Sequence, residues 1–113
     1  MSENGCVFCK IASGEEESEI VYEEEGVMAF HSAGGKAPVH VLVIPREHVS
    51  SLEEIGELPE GVAKRIFEVA QEVAEKMDVA RSGYVFRINN GNDAGQEVFH
   101  LHAHVMGGER MEM

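Results

Sequence analysis

Near the C-terminal end of the sequence, Phe99-His100-Leu101-His102-Ala103-His104-Val105-Met106 sets a histidine at every second position. Alternate residues of a β-strand point to opposite faces. Read as a strand, this stretch turns Phe99, Leu101, Ala103 and Val105 toward a core. His100, His102 and His104 then share the other face, which is expected to be exposed. One lone histidine is ordinary packing, but three in register point to chemistry. A shared metal ion is one reading. Same-face neighbours lie about 6.6–6.8 Å apart at Cα and zinc–nitrogen bonds are only about 2.0–2.1 Å long, so an adjacent pair could chelate one ion while the full trio would be strained. The other reading divides the labour. One neutral imidazole, with an ordinary pKa of about 6.5, attacks as a nucleophile while its neighbours manage protons and phosphate charge.

The loop ahead of this strand favours the second reading. Asn89-Asn90-Gly91-Asn92-Asp93-Ala94-Gly95-Gln96 offers two glycines, several amides and backbone N–H groups that can cradle phosphate oxygens without lysine or arginine. Such a cradle suits a chain of 113 residues with 9 Lys+Arg against 21 Asp+Glu and a formal charge of −12. That charge repels nucleic-acid backbones, and the cations are scattered rather than clustered, so no nucleic-acid partner is expected. At the other end, Cys6 and Cys9 form a C-x-x-C pair. It is either half of a metal site or a redox pair, and the lack of a preceding strand favours metal.

The elements that must position these residues follow from pattern. Cys6 to Ser13 reads as a short helix stopped by Gly14. Glu19–Glu23, Val27–His31 and Val39–Ile44 read as strands, the last β-branched and ended by Pro45. A helix begins near Leu58-Pro59-Glu60 and carries an apolar stripe through Val62, Ile66, Ala70, Val73 and Met77. Tyr84–Asn89 and Val98–Met106 complete the strands. One long helix, a short N-terminal helix and about five strands make an α+β fold with an antiparallel sheet, in a single domain over 1–113. The longest apolar stretch, Val39 to Ile44, is far short of the roughly 20 residues a membrane helix needs. The N-terminus has no secretory pattern, so no membrane association and a cytoplasmic location are expected.

Taken together, Cys6-Val7-Phe8-Cys9-Lys10-Ile11, the segment Pro38-Val39-His40-Val41-Leu42-Val43-Ile44-Pro45-Arg46-Glu47-His48-Val49-Ser50, the pair Asn89 and Gly95-Gln96, the histidine strand and the closing Gly107-Gly108 resemble the histidine triad (HIT) family. The resemblance is closest to its Hint branch of nucleoside phosphoramidate hydrolases, in the zinc-containing bacterial and archaeal form. It implies a HIT-like fold, a homodimer and a purine nucleotide or nucleotide conjugate as substrate. It implies His102 as the nucleophile at the α-phosphorus, its ring held by the backbone carbonyl of His100, with His104 and His40 balancing charge. Val7, Phe8, Ile11, Phe30, His31 and Ser32 would line the base and ribose pocket. Asn89, Gly95, Gln96, Glu97 and Val98 would lie along the phosphate and leaving group. Cys6, Cys9, His48 and His100 would hold a structural zinc. Two positions depart from the branch: Ser32 stands where it usually has Asp, weakening ribose recognition, and Glu97 where it usually has Ser. The Glu97 carboxylate would either repel phosphate or favour a cationic amine leaving group. A dinucleoside polyphosphate hydrolase and a non-catalytic nucleotide binder are the alternatives.

Overall fold

The computed structural model describes residues 5–111. Its centre is an antiparallel sheet of five strands: β1 (Ile20–Glu23), β2 (Val27–His31), β3 (Val39–Pro45), β4 (Tyr84–Arg87) and β5 (Ala103–Gly107). They lie in the order β1-β2-β3-β5-β4, so the C-terminal strand is inserted between β3 and the edge strand β4.

Strand alternation divides the molecule into two layers. Val27 and Ala29 of β2, Val41 and Val43 of β3, and Ala103 and Val105 of β5 face one side. There they meet Ile66, Val69, Ala70 and Val73 of the long helix α2 (Val62–Lys76). The apolar stripe therefore packs as its three-and-four spacing requires. Burying it removes most of the large aliphatic surface of the chain from water, the dominant favourable contribution to folding. Arg65, on the same helix, forks onto the Glu24 carboxylate, with Nη2–Oε1 at 2.9 Å, and fastens α2 to the start of the sheet.

The opposite face carries Met28, Phe30, Leu42 and Ile44, and against them packs the short helix α1 (Val7–Ser13) through Phe8 and Ile11. Cys6 caps α1, its sulfur accepting the N–H of Cys9 at 3.3 Å, and Gly14 ends it at φ 87°, a left-handed conformation that glycine adopts without steric cost. The Arg46 guanidinium donates to the carbonyls of Ala12 and Glu24, both at 2.7 Å, and ties the end of α1 to the sheet.

Three expectations need correction. The last strand begins at Ala103, not Val98. His100 and Leu101 precede it in irregular backbone, and Phe99 is exposed instead of joining the core. Tyr84–Arg87 stops before Ile88 and Asn89. The face that bears the histidines is not open to water, because α1 covers it: His100 is 0% exposed and His102 7%. A 3-10 turn over Leu52–Glu57, capped by Ser51, precedes α2 and has no counterpart in the sequence reading.

Candidate active site and metal-binding cluster

A chamber of about 520 Å³ opens on the α1 face of the sheet. Its apolar wall is made by Val7, Phe8 and Ile11 of α1, Phe30 of β2 and Leu42 of β3. His40 of β3 and His104 of β5 belong to its lining, as does His102 just ahead of β5. His31, Ser32, Asn89, Gly95, Glu97 and Val98 complete the set that the sequence placed around a nucleotide. Gln96 is not brought to the chamber. It is buried, accepting the Gly91 N–H at 2.8 Å and donating to the carbonyls of Ser50 and Val98, so it braces the loop from behind.

The loop also uses much of its own backbone. The N–H groups of Ala94 and Gln96 bond to the Gly91 carbonyl, and that of Gly95 bonds to Asn92. Glu97 and Val98, at the edge of the chamber, have N–H groups with no acceptor among the described residues. A cradle for an oxyanion therefore narrows to these two positions.

The imidazoles form an ordered set of hydrogen bonds that determines where each proton sits. His102 Nδ1–H donates to the backbone carbonyl of His100 at 2.8 Å. In the neutral ring this leaves the lone pair on Nε2. Phe8 packs its ring edge-on at 5.1 Å from His102, excluding water from one side. His40 Nδ1 accepts the Lys36 backbone N–H at 2.9 Å, so the neutral ring carries its proton on Nε2 and donates it to His104 Nδ1, also at 2.9 Å. His104 in turn carries its own proton on Nε2. Adding a proton to either ring would set two N–H groups against each other. Burial is the first cause of the low basicity of all three; it pushes His104 down to about 4 and lowers His40 and His102 as well.

His100 is turned away from the chamber, toward a second cluster. Its Nδ1 lies 3.4 Å from Cys6 Sγ and 3.5 Å from Cys9 Sγ, while His48 Nδ1 lies 3.2 Å from Cys9 Sγ. All four ligand atoms fall within 4.8 Å of one another. A tetrahedral ion with metal–sulfur bonds of about 2.3 Å and metal–nitrogen bonds of about 2.05 Å would place sulfur and nitrogen about 3.6 Å apart. The observed separations are close to that figure. The surroundings fit too: His100 Nε2–H donates to the Pro45 carbonyl at 2.8 Å, which leaves the Nδ1 lone pair for a metal. Cys6, Cys9, His48 and His100 thus form a cluster able to coordinate a metal, and the redox reading of the cysteine pair gives way to it.

Among the chamber residues that the sequence did not single out are two cations, Lys36 and Arg87, and two exposed carboxylates, Glu16 and Glu17. Arg87 had a readable signal. It is the one charge in the apolar run Tyr84-Val85-Phe86-Arg87-Ile88, and alternation puts it opposite Tyr84 and Phe86, which pack toward the α2 side.

The HIT domain model matches residues 13–111 of this chain. The chain belongs to the HIT family. Within it the likeness is to the Hint-like branch. The chain is 35% identical over 102 residues to the purine nucleoside phosphoramidase of Escherichia coli (strain K12), covering 90% of this chain and 86% of that protein. A histidine triad protein from Clostridium difficile superposes with a TM-score of 0.92 at 37% identity, covering 100% of this chain and 98% of that one. A HIT family hydrolase from Clostridium thermocellum gives a TM-score of 0.89 at 42% identity, with 99% and 97% covered. This HIT chain therefore shares its fold with the two clostridial proteins over nearly their whole length.

Proposed function

We propose that this HIT protein hydrolyses purine nucleoside phosphoramidates, or closely related nucleotide conjugates, through a covalent nucleotidyl-histidine on His102. The observation that carries the reading is the 2.8 Å bond from His102 Nδ1 to the His100 carbonyl, which leaves the Nε2 lone pair available beside the apolar wall. The likeness to the Escherichia coli phosphoramidase supports the same class of substrate.

The purine stacks against Phe8, Ile11, Phe30 and Leu42, with His31 and Ser32 near the ribose. That places the α-phosphorus over His102. Water attacks an anionic phosphorus slowly, because like charges repel; a neutral imidazole meets no such repulsion. His102 Nε2 forms a bond to phosphorus as the P–N bond breaks. The departing nitrogen keeps the bonding pair and takes a proton from solvent at the open mouth. His104 Nε2–H, held in place through His40, donates to the phosphoryl oxygens as their charge grows, together with the free N–H groups of Glu97 and Val98. A water molecule then attacks the adduct, the pair returns to Nε2, and one proton is released with the nucleoside monophosphate.

The metal cluster supports this arrangement without entering it. Two thiolates and two imidazoles within 4.8 Å of one another suit zinc, and four protein donors leave no open position, so a bound ion would be structural. Cys6, Cys9, His48 and His100 would hold it, fixing the residue whose backbone carbonyl orients His102 and fastening α1 over the chamber. The free edge of β4 and the exposed Phe67, stacked on Phe86 at 5.0 Å, favour a homodimer formed across that edge. No helix among the described residues is long and apolar enough to cross a membrane, and a cytoplasmic setting would keep Cys6 and Cys9 reduced.

The deciding experiment compares wild type with His102→Ala using an adenosine phosphoramidate. Wild type should release AMP and, on rapid quenching without acid, carry a nucleotidyl mass on the peptide containing His102. The alanine variant should bind AMP but show no turnover. Full phosphoramidase activity in that variant would remove the basis for the reading.

A further inference from the structure

Arg87 is the least explained charge in the molecule. It lies on β4 opposite His104 of β5, and it lines the chamber. Its Nε is fully buried yet has no hydrogen-bond partner, and no ion pair involves its guanidinium among the described residues. A buried N–H in that state is costly, since it has lost water without gaining an acceptor. Arg46 and Arg65, by contrast, both engage carboxylates. Arg87 is also one of the cations that hold down the basicity of His40 and His104, after burial itself, which sets it electrostatically beside the reacting centre.

The order of the strands says what this cation faces. Crossing the sheet from β2 to β4, the chamber presents Phe30 and Leu42, then His40 and His104, then Arg87. A nucleotide whose base rests on the apolar wall and whose phosphorus sits over the imidazoles directs its next group toward β4. That group lies one strand spacing, about 4.8 Å, further on.

From this we infer that Arg87 is a specificity-determining residue that grips an oxyanion on the leaving group, so that the preferred substrates are nucleotide conjugates whose departing part carries a carboxylate or a phosphate next to the scissile bond. The inference rests on the nucleotide orientation given under Proposed function. Glu97 argues in the opposite direction, toward a cationic leaving group, but it is exposed at the rim, where water and salt screen it. Arg87 is less exposed than Glu97 and stands opposite His104 with an unpartnered, buried Nε–H, so its preference prevails. Guanidinium–carboxylate and guanidinium–phosphate pairs are charge-assisted and commonly two-pronged, which makes arginine suited to this discrimination.

The test is a ratio measured in two ways. By calorimetry, wild type should bind ADP at least tenfold more tightly than AMP, and Arg87→Met should reduce that ratio to threefold or less. Arg87→Lys, which keeps the charge but loses the fork, should fall between. In kinetics, wild type should show a kcat/KM at least tenfold higher for the adenosine phosphoramidate of glycine than for that of glycine methyl ester, again erased in Arg87→Met. A preference in the first comparison alone names phosphate as the anion, and in the second alone names carboxylate; either supports the inference. It is overturned if wild type discriminates in neither, or if Arg87→Met weakens both members of each pair equally. If wild type hydrolyses neither conjugate, the phosphoramidase reading fails, and the ADP-to-AMP ratio alone decides the role of Arg87.

Discussion

The hydrogen-bond chain from the Lys36 N–H through His40 to His104 makes a quantitative claim about pH. Every nitrogen along it already has its proton assigned, so protonating His104 on Nδ1 would drive it against the His40 Nε2–H across 2.9 Å. With burial added, His104 stays neutral down to about pH 4. At pH 5.0 an ordinary imidazole of pKa 6.5 is roughly 97% protonated, whereas one near 4 is only roughly 10% protonated. An ordinary imidazole would thus lose about thirtyfold of its neutral form between pH 7.5 and 5.0, while His104 should lose only about a tenth. The acid limb of kcat/KM should lie below the ordinary imidazole range, because burial lowers His102 and His40 as well. Since kcat/KM reports groups of the free enzyme, the acid limb of its pH profile is the relevant assay. The perturbation is His40→Leu, which removes the opposing N–H and frees His104 Nδ1. The basicity of His104 should then rise part of the way, since burial, the larger cause, remains, and the acid limb should move up with it. Imidazole resonances followed by NMR give the same reading even where turnover is slow. A wild-type midpoint near 6.5, or a His104 titration that His40→Leu leaves unmoved, would refute the reasoning.

Two further outcomes are expected. Protein purified without chelator should contain one zinc per chain by elemental analysis. Cys9→Ser should abolish it and lower Tm by on the order of 15 °C, since a tightly held ion at a thousandfold over its Kd stabilises by about 4 kcal/mol; no zinc, with both thiols freely titratable in the native protein, would defeat the assignment. In sedimentation experiments the wild type should run as a dimer and Phe67→Glu as a monomer, because a carboxylate at the β4 edge would be buried without a partner. A monomeric wild type would rule out the proposed edge pairing.

What the sequence revealed most clearly was which side chains share a face. Alternation correctly put Ala103 and Val105 in the core with His104 on the opposite face, and spacing along Val62–Lys76 correctly gave the stripe that packs on the sheet. Alternation does not say what covers a face, however. The histidine side looked open because its cover, α1, is placed by contacts from Cys6 and Cys9 to His100 across a separation of more than ninety residues. The strand was drawn too long for a related reason. His100 has the alternation of a strand residue, but its ring nitrogens and carbonyl are committed to Cys6, Pro45 and His102, and the ladder gives way to those bonds. Arg87 escaped notice because a charge in a short strand ordinarily points to solvent. Only the insertion of β5 beside β4 brings it to the chamber.

The position of α1 has a consequence for how the molecule is assembled. A helix of seven residues has little stability by itself. Its two cysteines are made before both histidines of its anchorage, and Cys6 and His100 are 94 residues apart. The wall of the chamber must therefore wait until His100 has been made before it can close. A nascent chain halted before His100 would hold neither the proposed nucleophile His102 nor a fastened roof above it.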